Sequence, residues 1–194
     1  MERVLIYTDG SCHGNPGPGG WAAVLIYSHT ISQIAGCDCW TTNGRMELKA
    51  IVEALKTLRE SYDVCIRSDS KWIVDTINRG ARYLDTFTHG KNRKHADLWA
   101  DLWAEILCMT RKHLIRAEWV KGHAHDSYNN LCDKLANEEV YRLTGEARIR
   151  DKVFAALLIN DRQTPAIIAA QNQLSPELVK KYYDQFFLHM RQNE

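Results

Sequence analysis

Excess charge, long apolar runs and repetition are all missing from this chain. Its 194 residues carry 25 Lys and Arg against 24 Asp and Glu, a formal net charge of +1. Bulk electrostatics therefore do not mark it as a polyanion binder. No apolar run approaches the roughly 18 residues that cross a bilayer, so a helical anchor is excluded and no membrane partner is expected. Met1 leads directly into a strand-like run, and no signal peptide is expected. Without a secretory context the 6 cysteines do not imply a disulfide framework. Cys37 and Cys39, two apart on one strand face, do not fit zinc spacing. All are read as reduced thiols of a cytoplasmic protein.

What is present is a composition of 45% hydrophobic and 25% charged residues, enough for one core, or one core with an appendage. Charge is local rather than global. Arg79, Arg82, Lys91, Arg93 and Lys94 stand against the single acid Asp85, with His89 among them. Such a stretch either holds a phosphate backbone or forms a solvated loop.

Residues 3–8 form an apolar, β-rich run that suggests a buried strand, followed by a glycine- and proline-rich turn. Residues 21–27 and 31–40 read as two further strands. From Arg45 to Arg59 the period becomes helical, with Met46, Leu48, Ile51, Leu55 and Leu58 in phase and Asn43 at the N-cap. A strand over 63–68, a helix from Ser70, a helix over 96–113, a strand over 114–121 and a helix over 127–143 follow. This βββαβααβα order predicts an α/β fold with a mixed five-stranded sheet flanked by helices.

Beyond Gly145 three more helices are expected, over 147–160, 165–172 and 176–191. Thr164-Pro165 and Ser175-Pro176 each place a capping residue before a proline at the first helical position. Leu178, Val179, Tyr182, Tyr183, Phe186, Phe187 and Met190 make the last helix too apolar for water. It needs the main domain, a second copy of itself or another protein to cover it, and a dimer is favoured. The expected division is residues 1–145 as the main domain and 146–194 as a helical extension.

Four acids sit in contexts that suit metal ligation: Asp9 in YTDGSCHGNPGPGGW, Glu47 in TTNGRMELKA, Asp69 in IRSDSKW and Asp133 in NNLCDKLAN. Singly, each is ordinary turn or surface chemistry. Asp9, however, closes a buried strand before glycines that let a ligand approach the backbone. Asp133 shares a helical face with Asn129 and Asn137, four residues to either side. Four carboxylates brought together repel one another unless cations neutralise them, so paired hard cations are the economical reading.

The wording of these segments, in this order, resembles type 1 ribonuclease H over about residues 1–144. The resemblance implies a ribonuclease H-like fold and hydrolysis of the RNA strand of an RNA/DNA hybrid. It implies two Mg²⁺ ions, with Mn²⁺ able to substitute, held by Asp9, Glu47, Asp69 and Asp133, and products with 5′-phosphate and 3′-hydroxyl ends. His123, in W-V-K-G-H-A, matches the family's mobile active-site histidine, a group suited to moving protons near neutrality; His125 competes for that role. Asn15 and Asn43 stand where the family grips 2′-hydroxyls, and Thr42 where it holds a phosphate of the DNA strand. Lys71, Arg93, Lys94 and Asn129 complete the expected nucleic-acid-binding set. Cys12 and Cys132 match family cysteines near the site, with no chemistry that requires a thiol. Trp40 and Gly44 depart from relatives that carry a cation and a second amide there, and the basic protrusion looks shortened. No separate hybrid-binding domain is expected before Met1. The alternatives are another nuclease or strand-transfer enzyme of the same fold, which would cut duplex DNA, and a hybrid-binding module without catalysis. The first is opposed by Asn15 and Asn43, the second by the intact set of carboxylates.

Overall fold

The computed structural model describes residues 1–28, 30–89, 96–122 and 126–192. They divide into two compact units, Met1–Val140 and Tyr141–Glu194.

In the first unit, β1 (Glu2–Cys12), β2 (Gly17–Tyr27) and β3 (Thr30–Thr41) form an antiparallel meander. After α1 (Asn43–Lys56), β4 (Tyr62–Ser68) pairs parallel to β1. Helices α2 (Lys71–Asn78), α3 (Ala81–His89) and α4 (Ala96–Met109) precede β5 (Leu114–Trp119), which pairs parallel to β4. The sheet order is β3-β2-β1-β4-β5. Side chains alternate across a strand, so β1 serves two cores. Val4 and Ile6 pack with Leu48, Ile51 and Leu55 of α1 and with Trp103 and Ile106 of α4. Tyr7, with Ala22 and Val24 of β2, packs instead on Cys132 and Ala136 of α5 (Ser127–Ile159). This mixed sheet with helices on both faces is the architecture expected from the sequence.

Several local readings shift. The glycine-rich stretch is mostly strand rather than turn, because Gly10, Ser11 and Cys12 pair with Trp21, Gly20 and Gly19 across the hairpin. Only residues 13–16 are left to make the connection. Thr42, not Asn43, is the N-cap of α1, and its side chain makes no capping bond. The basic stretch begins with a helix, α3, that charge had disguised as loop. Leu84 is fully buried there, and the Arg79 guanidinium lies 4.6 Å from the Tyr83 ring centroid. Nor does Gly145 end a helix: α5 runs through it to Ile159. A glycine inside a helix costs only about 1 kcal/mol, which long flanking turns tolerate.

The second unit holds the end of α5 with α6 (Pro165–Asn172) and α7 (Pro176–Gln192). Thr164 caps α6 as expected, its hydroxyl accepting from the Ile167 N–H at 3.4 Å. Val179, Tyr182 and Phe186 of α7 are buried with Val153, Leu157, Ile168 and Ala169, and Phe186 meets Phe154 edge-on at 5.2 Å. Glu146 accepts from the Tyr182 hydroxyl at 2.9 Å and pairs with Lys181 at 3.0 Å. Val179, Tyr182 and Phe186 of the stripe expected to call for a second copy are therefore covered by their own neighbours along the chain, and Tyr183 and Phe187 partly so. Periodicity revealed an apolar face but not its partner, and the reason for a homodimer through that face falls away.

Phe186→Ala should cost roughly 3–5 kcal/mol, as for other buried aromatic truncations, and should act on the helical unit. Urea unfolding followed by hydrogen exchange should show earlier opening of α6 and α7, with β1 and β4 protected as before. Equal loss of protection in the strands would mean that the two units unfold as one.

Candidate active site

Asp9 and Asp69 come to the same end of the sheet because β1 and β4 run parallel, with Tyr7 in register with Arg67. Two residues further along, Asp9 lies in β1 and Asp69 follows the last residue of β4. Ligands of open α/β sheets bind at this edge, beyond the carboxyl ends of the strands. Close backbone approach brings the helices in. A Cβ on Gly10 would lie 2.3 Å from the Glu47 amide nitrogen, and one on Gly20 would lie 2.1 Å from the Ala136 carbonyl oxygen. Only glycine lets α1, with Glu47, and α5, with Asp133, sit this near to β1 and β2.

The electrostatics report the convergence. Burial pushes the Asp9 carboxyl up to about 8, and repulsion from Asp69, Asp133 and Glu47 adds to it, against a stabilising bond from the Gly10 amide. That amide donates to Asp9 Oδ1 at 2.7 Å. Glu47 is likewise raised, first by burial and then by Asp69, while a bond with the Ser70 side chain opposes the shift. The other three acids thus all act on Asp9, which is only 7% exposed.

Neighbouring amides hold this set in place. Asn43 Nδ2 donates to Glu47 Oε1 at 2.9 Å, and Asn15 Oδ1 accepts from the Asn43 backbone N–H at 3.3 Å. Asn137 Nδ2 donates to Asp133 Oδ1 and to the Asp133 carbonyl, both at 2.9 Å. The Ser11 hydroxyl in turn donates to Asn137 Oδ1 at 2.7 Å, clipping β1 to α5. Sequence reasoning missed Ser11. Its signal was parity, since it lies two residues beyond Asp9 on the same strand face. Trp119 Nε1 donates to the Asp69 carbonyl at 2.9 Å.

The remaining expected residues divide. Asn15 and Lys71 are exposed, and Asn43 is partly so. The Thr42 hydroxyl is enclosed and makes no hydrogen bond. Asn129, expected to touch nucleic acid, is 1% exposed. Helical spacing put it on Asp133's polar stripe without revealing the depth of that turn. His123, its rival His125, Arg93 and Lys94 lie outside the described residues. Cys12 donates to the carbonyls of Gly17 and Thr41, at 3.5 and 3.4 Å. Cys132 is buried and its thiol is pushed up to about 12, mainly by burial and then by Asp9.

Among the described residues no three of His, Cys, Asp or Glu form a closed set around one point. The donor chemistry still fits a hard divalent cation. Mg²⁺ keeps several waters and takes one or two carboxylates together with substrate phosphates, so it does not require a closed protein cage. The electrostatic strain on Asp9 also calls for positive charge, and no Lys or Arg among the described residues is a principal influence on it.

Known proteins share this fold. The ribonuclease H family model matches residues 1–141. A ribonuclease H of Thermoanaerobacter sp. (strain X514) is 46% identical over 147 residues, covering 74% of this chain and 94% of that protein. Among solved structures, LC9-RNase H1, described as a type 1 RNase H with the type 2 active-site motif, superposes with a TM-score of 0.62. It is 28% identical, and the match covers 72% of each chain. LC11-RNase H1 in complex with an RNA/DNA hybrid superposes with a TM-score of 0.57 at 22% identity, over 73% of this chain and 99% of that one, a likeness of fold. A mixed sheet with a buried Asp9 at its carboxyl edge, repelled by three further acids, defines the class, and the chain belongs to the type 1 ribonuclease H family.

The raised Asp9 carboxyl has a consequence for stability. In metal-free protein Asp9 keeps its proton to about 8 when folded but loses it near 4 when unfolded. The folded state then binds more protons between those values, so its stability is full below about pH 4 and falls as pH rises towards 8. Asp9→Asn removes this loss. In EDTA it should raise the melting temperature at pH ~8 by the equivalent of 1 kcal/mol or more, and by little at pH ~4. A gain that is the same at both pH values would mean that Asp9 is not strained by its neighbours.

Proposed function

We propose that this protein hydrolyses the RNA strand of RNA/DNA hybrids as an endonuclease, leaving 5′-phosphate and 3′-hydroxyl ends. The observation that carries the reading is the convergence of Asp9, Glu47, Asp69 and Asp133 at the strand ends of a chain belonging to this family. Asp9, Glu47, Asp69 and Asp133 are the residues that would hold two Mg²⁺ ions, or Mn²⁺ in their place. When bound, such ions supply Lewis acidity for attack of water on a phosphodiester.

The chain's own groups account for position and selectivity. Asn43 contacts Glu47 through its side chain and Asn15 through its backbone N–H. Gripping a 2′-hydroxyl with this pair ties recognition of RNA directly to a carboxylate of the site. Asn15 and Lys71, both exposed, are placed to meet the sugar-phosphate backbone. His123 has the chemistry to move a proton or assist product departure near neutrality. Arg93 and Lys94 add basic charge for a phosphate backbone, and Thr42 reaches a phosphate only if its enclosed hydroxyl turns outward. Residues 1–145 carry the chemistry, and residues 146–194 form an extension that the chemistry does not need. Cytoplasmic hybrids are the proposed substrate, and no helix among the described residues is long and apolar enough to cross a membrane.

Asp69→Asn should abolish cleavage of a labelled hybrid, a loss of at least ~100-fold, while hybrid affinity changes little because phosphate contacts elsewhere dominate it. The same assay should show no cutting of RNA duplex, DNA duplex or single strands, and none in EDTA. Substantial Mg²⁺-dependent turnover by Asp69→Asn would overturn the assignment of the carboxylates, and efficient cutting of duplex DNA would favour the strand-transfer reading instead.

A further inference from the structure

On the α5 face of the sheet, directly behind the acids, runs a chain of polar groups that no metal or substrate contact explains. Glu118 of β5 accepts from Arg67 Nε at 3.0 Å. Arg67 Nη1 of β4 donates to the Tyr7 hydroxyl of β1 at 2.7 Å. The Asp126 carboxylate acts on the Tyr7 hydroxyl from the other side and helps to keep its proton on. Asp126 Oδ1 then accepts from the backbone N–H groups of Tyr128 and Asn129, at 3.1 and 3.3 Å, and so caps the first turn of α5. The Tyr7 and Tyr128 rings pack at 5.3 Å beside this chain.

Charge alternates along it, from Glu118 to Arg67, through a neutral hydroxyl, to Asp126 and the positive end of the helix dipole. Each group faces a complementary one, as a partly buried network requires. Its place is equally specific. Tyr7 and Arg67 are register partners, each two residues before an acid of the site, Asp9 and Asp69. Period two puts them on the same strand face as those acids, about 7 Å back along the strands. The far end of the network holds the helix that carries Asp133.

We propose that Tyr7, Arg67 and Asp126 are positioning residues that clamp the start of α5 to β1 and β4 and thereby set Asp133 against Asp9 and Asp69. This rests on the reading of those acids as the catalytic set. The clamp touches neither substrate nor reacting atoms. It fixes one wall of the site relative to the other, where a displacement of about 1 Å is enough to cost as much as 100-fold in rate.

Tyr7→Phe tests it with the least disturbance, because it deletes one hydroxyl and keeps the ring packed against Tyr128. Amide exchange over residues 127–131 should accelerate about tenfold or more while β2 and α1 are unchanged. The kcat on hybrid should fall about tenfold with KM unaltered, since geometry is lost and binding is not. Asp126→Ala should act in the same way, and the double variant should be no worse than the more affected single one. Asp126→Asn, which keeps the accepting oxygen, should restore slow exchange and most of kcat. Unchanged exchange in Tyr7→Phe, or additive effects of the two substitutions, would overturn the clamp. Asp133→Asn separates the two readings: it should abolish cleavage with normal exchange at the start of α5. Retained cleavage in that variant would refute the catalytic assignment, while the exchange measurements still judge the clamp independently.

Discussion

Carboxylates that repel one another are held in one small volume by packing they do not themselves provide. Asp9 is nearly buried, and Asp69, Asp133 and Glu47 all raise the free energy of its charged form. The opposing term is the two-sided burial of β1, with Val4 and Ile6 on one face and Tyr7 on the other. Gly10 and Gly20 let α1 and α5 settle onto that sheet, and in doing so they deliver Glu47 and Asp133. The site is thus a place where fold stability is drawn upon, and cations held there would return what repulsion takes away. Amide side chains at Asn43 and Asn137 orient the acids without adding charge.

Much of this was legible in the sequence because the chemistry lies in short local segments. Strand runs ending in an acid, a helical period around Glu47 and a polar stripe around Asp133 were each readable, and their order identified the family. What could not be read depended on contacts between segments. Asn129 shares Asp133's stripe, yet only packing against the sheet shows that it is buried. Ser11 looked like a turn residue, but it lies in a strand and reaches Asn137 across 126 positions. Helix α3 was hidden because basic residues dominate the stretch, while its one decisive feature is a buried Leu84. The partners of Arg67, likewise, are set by strand register and by no local pattern.

The tail shows the same division between pattern and partner. Its helix starts and the Thr164 cap followed from Thr164-Pro165 and Ser175-Pro176, since proline and a preceding hydroxyl residue act locally. The destination of its apolar stripe did not follow, because burial can be satisfied by any complementary surface. Val179, Tyr182 and Phe186 find that surface on Val153, Leu157, Ile168 and Ala169. The helical unit thereby has a core of its own.

The charge on Asp9 is the most direct handle on the site. Carboxyl carbons of aspartate can be followed by NMR through a pH titration of protein freed of metal, with the Asp9 signal assigned by substitution. The expected result is titration at about 8 without metal, moving down towards the ordinary value near 4 as Mg²⁺ saturates the site. Titration near 4 in metal-free protein, unmoved by Mg²⁺, would contradict both the convergence of the four acids and their role in holding cations.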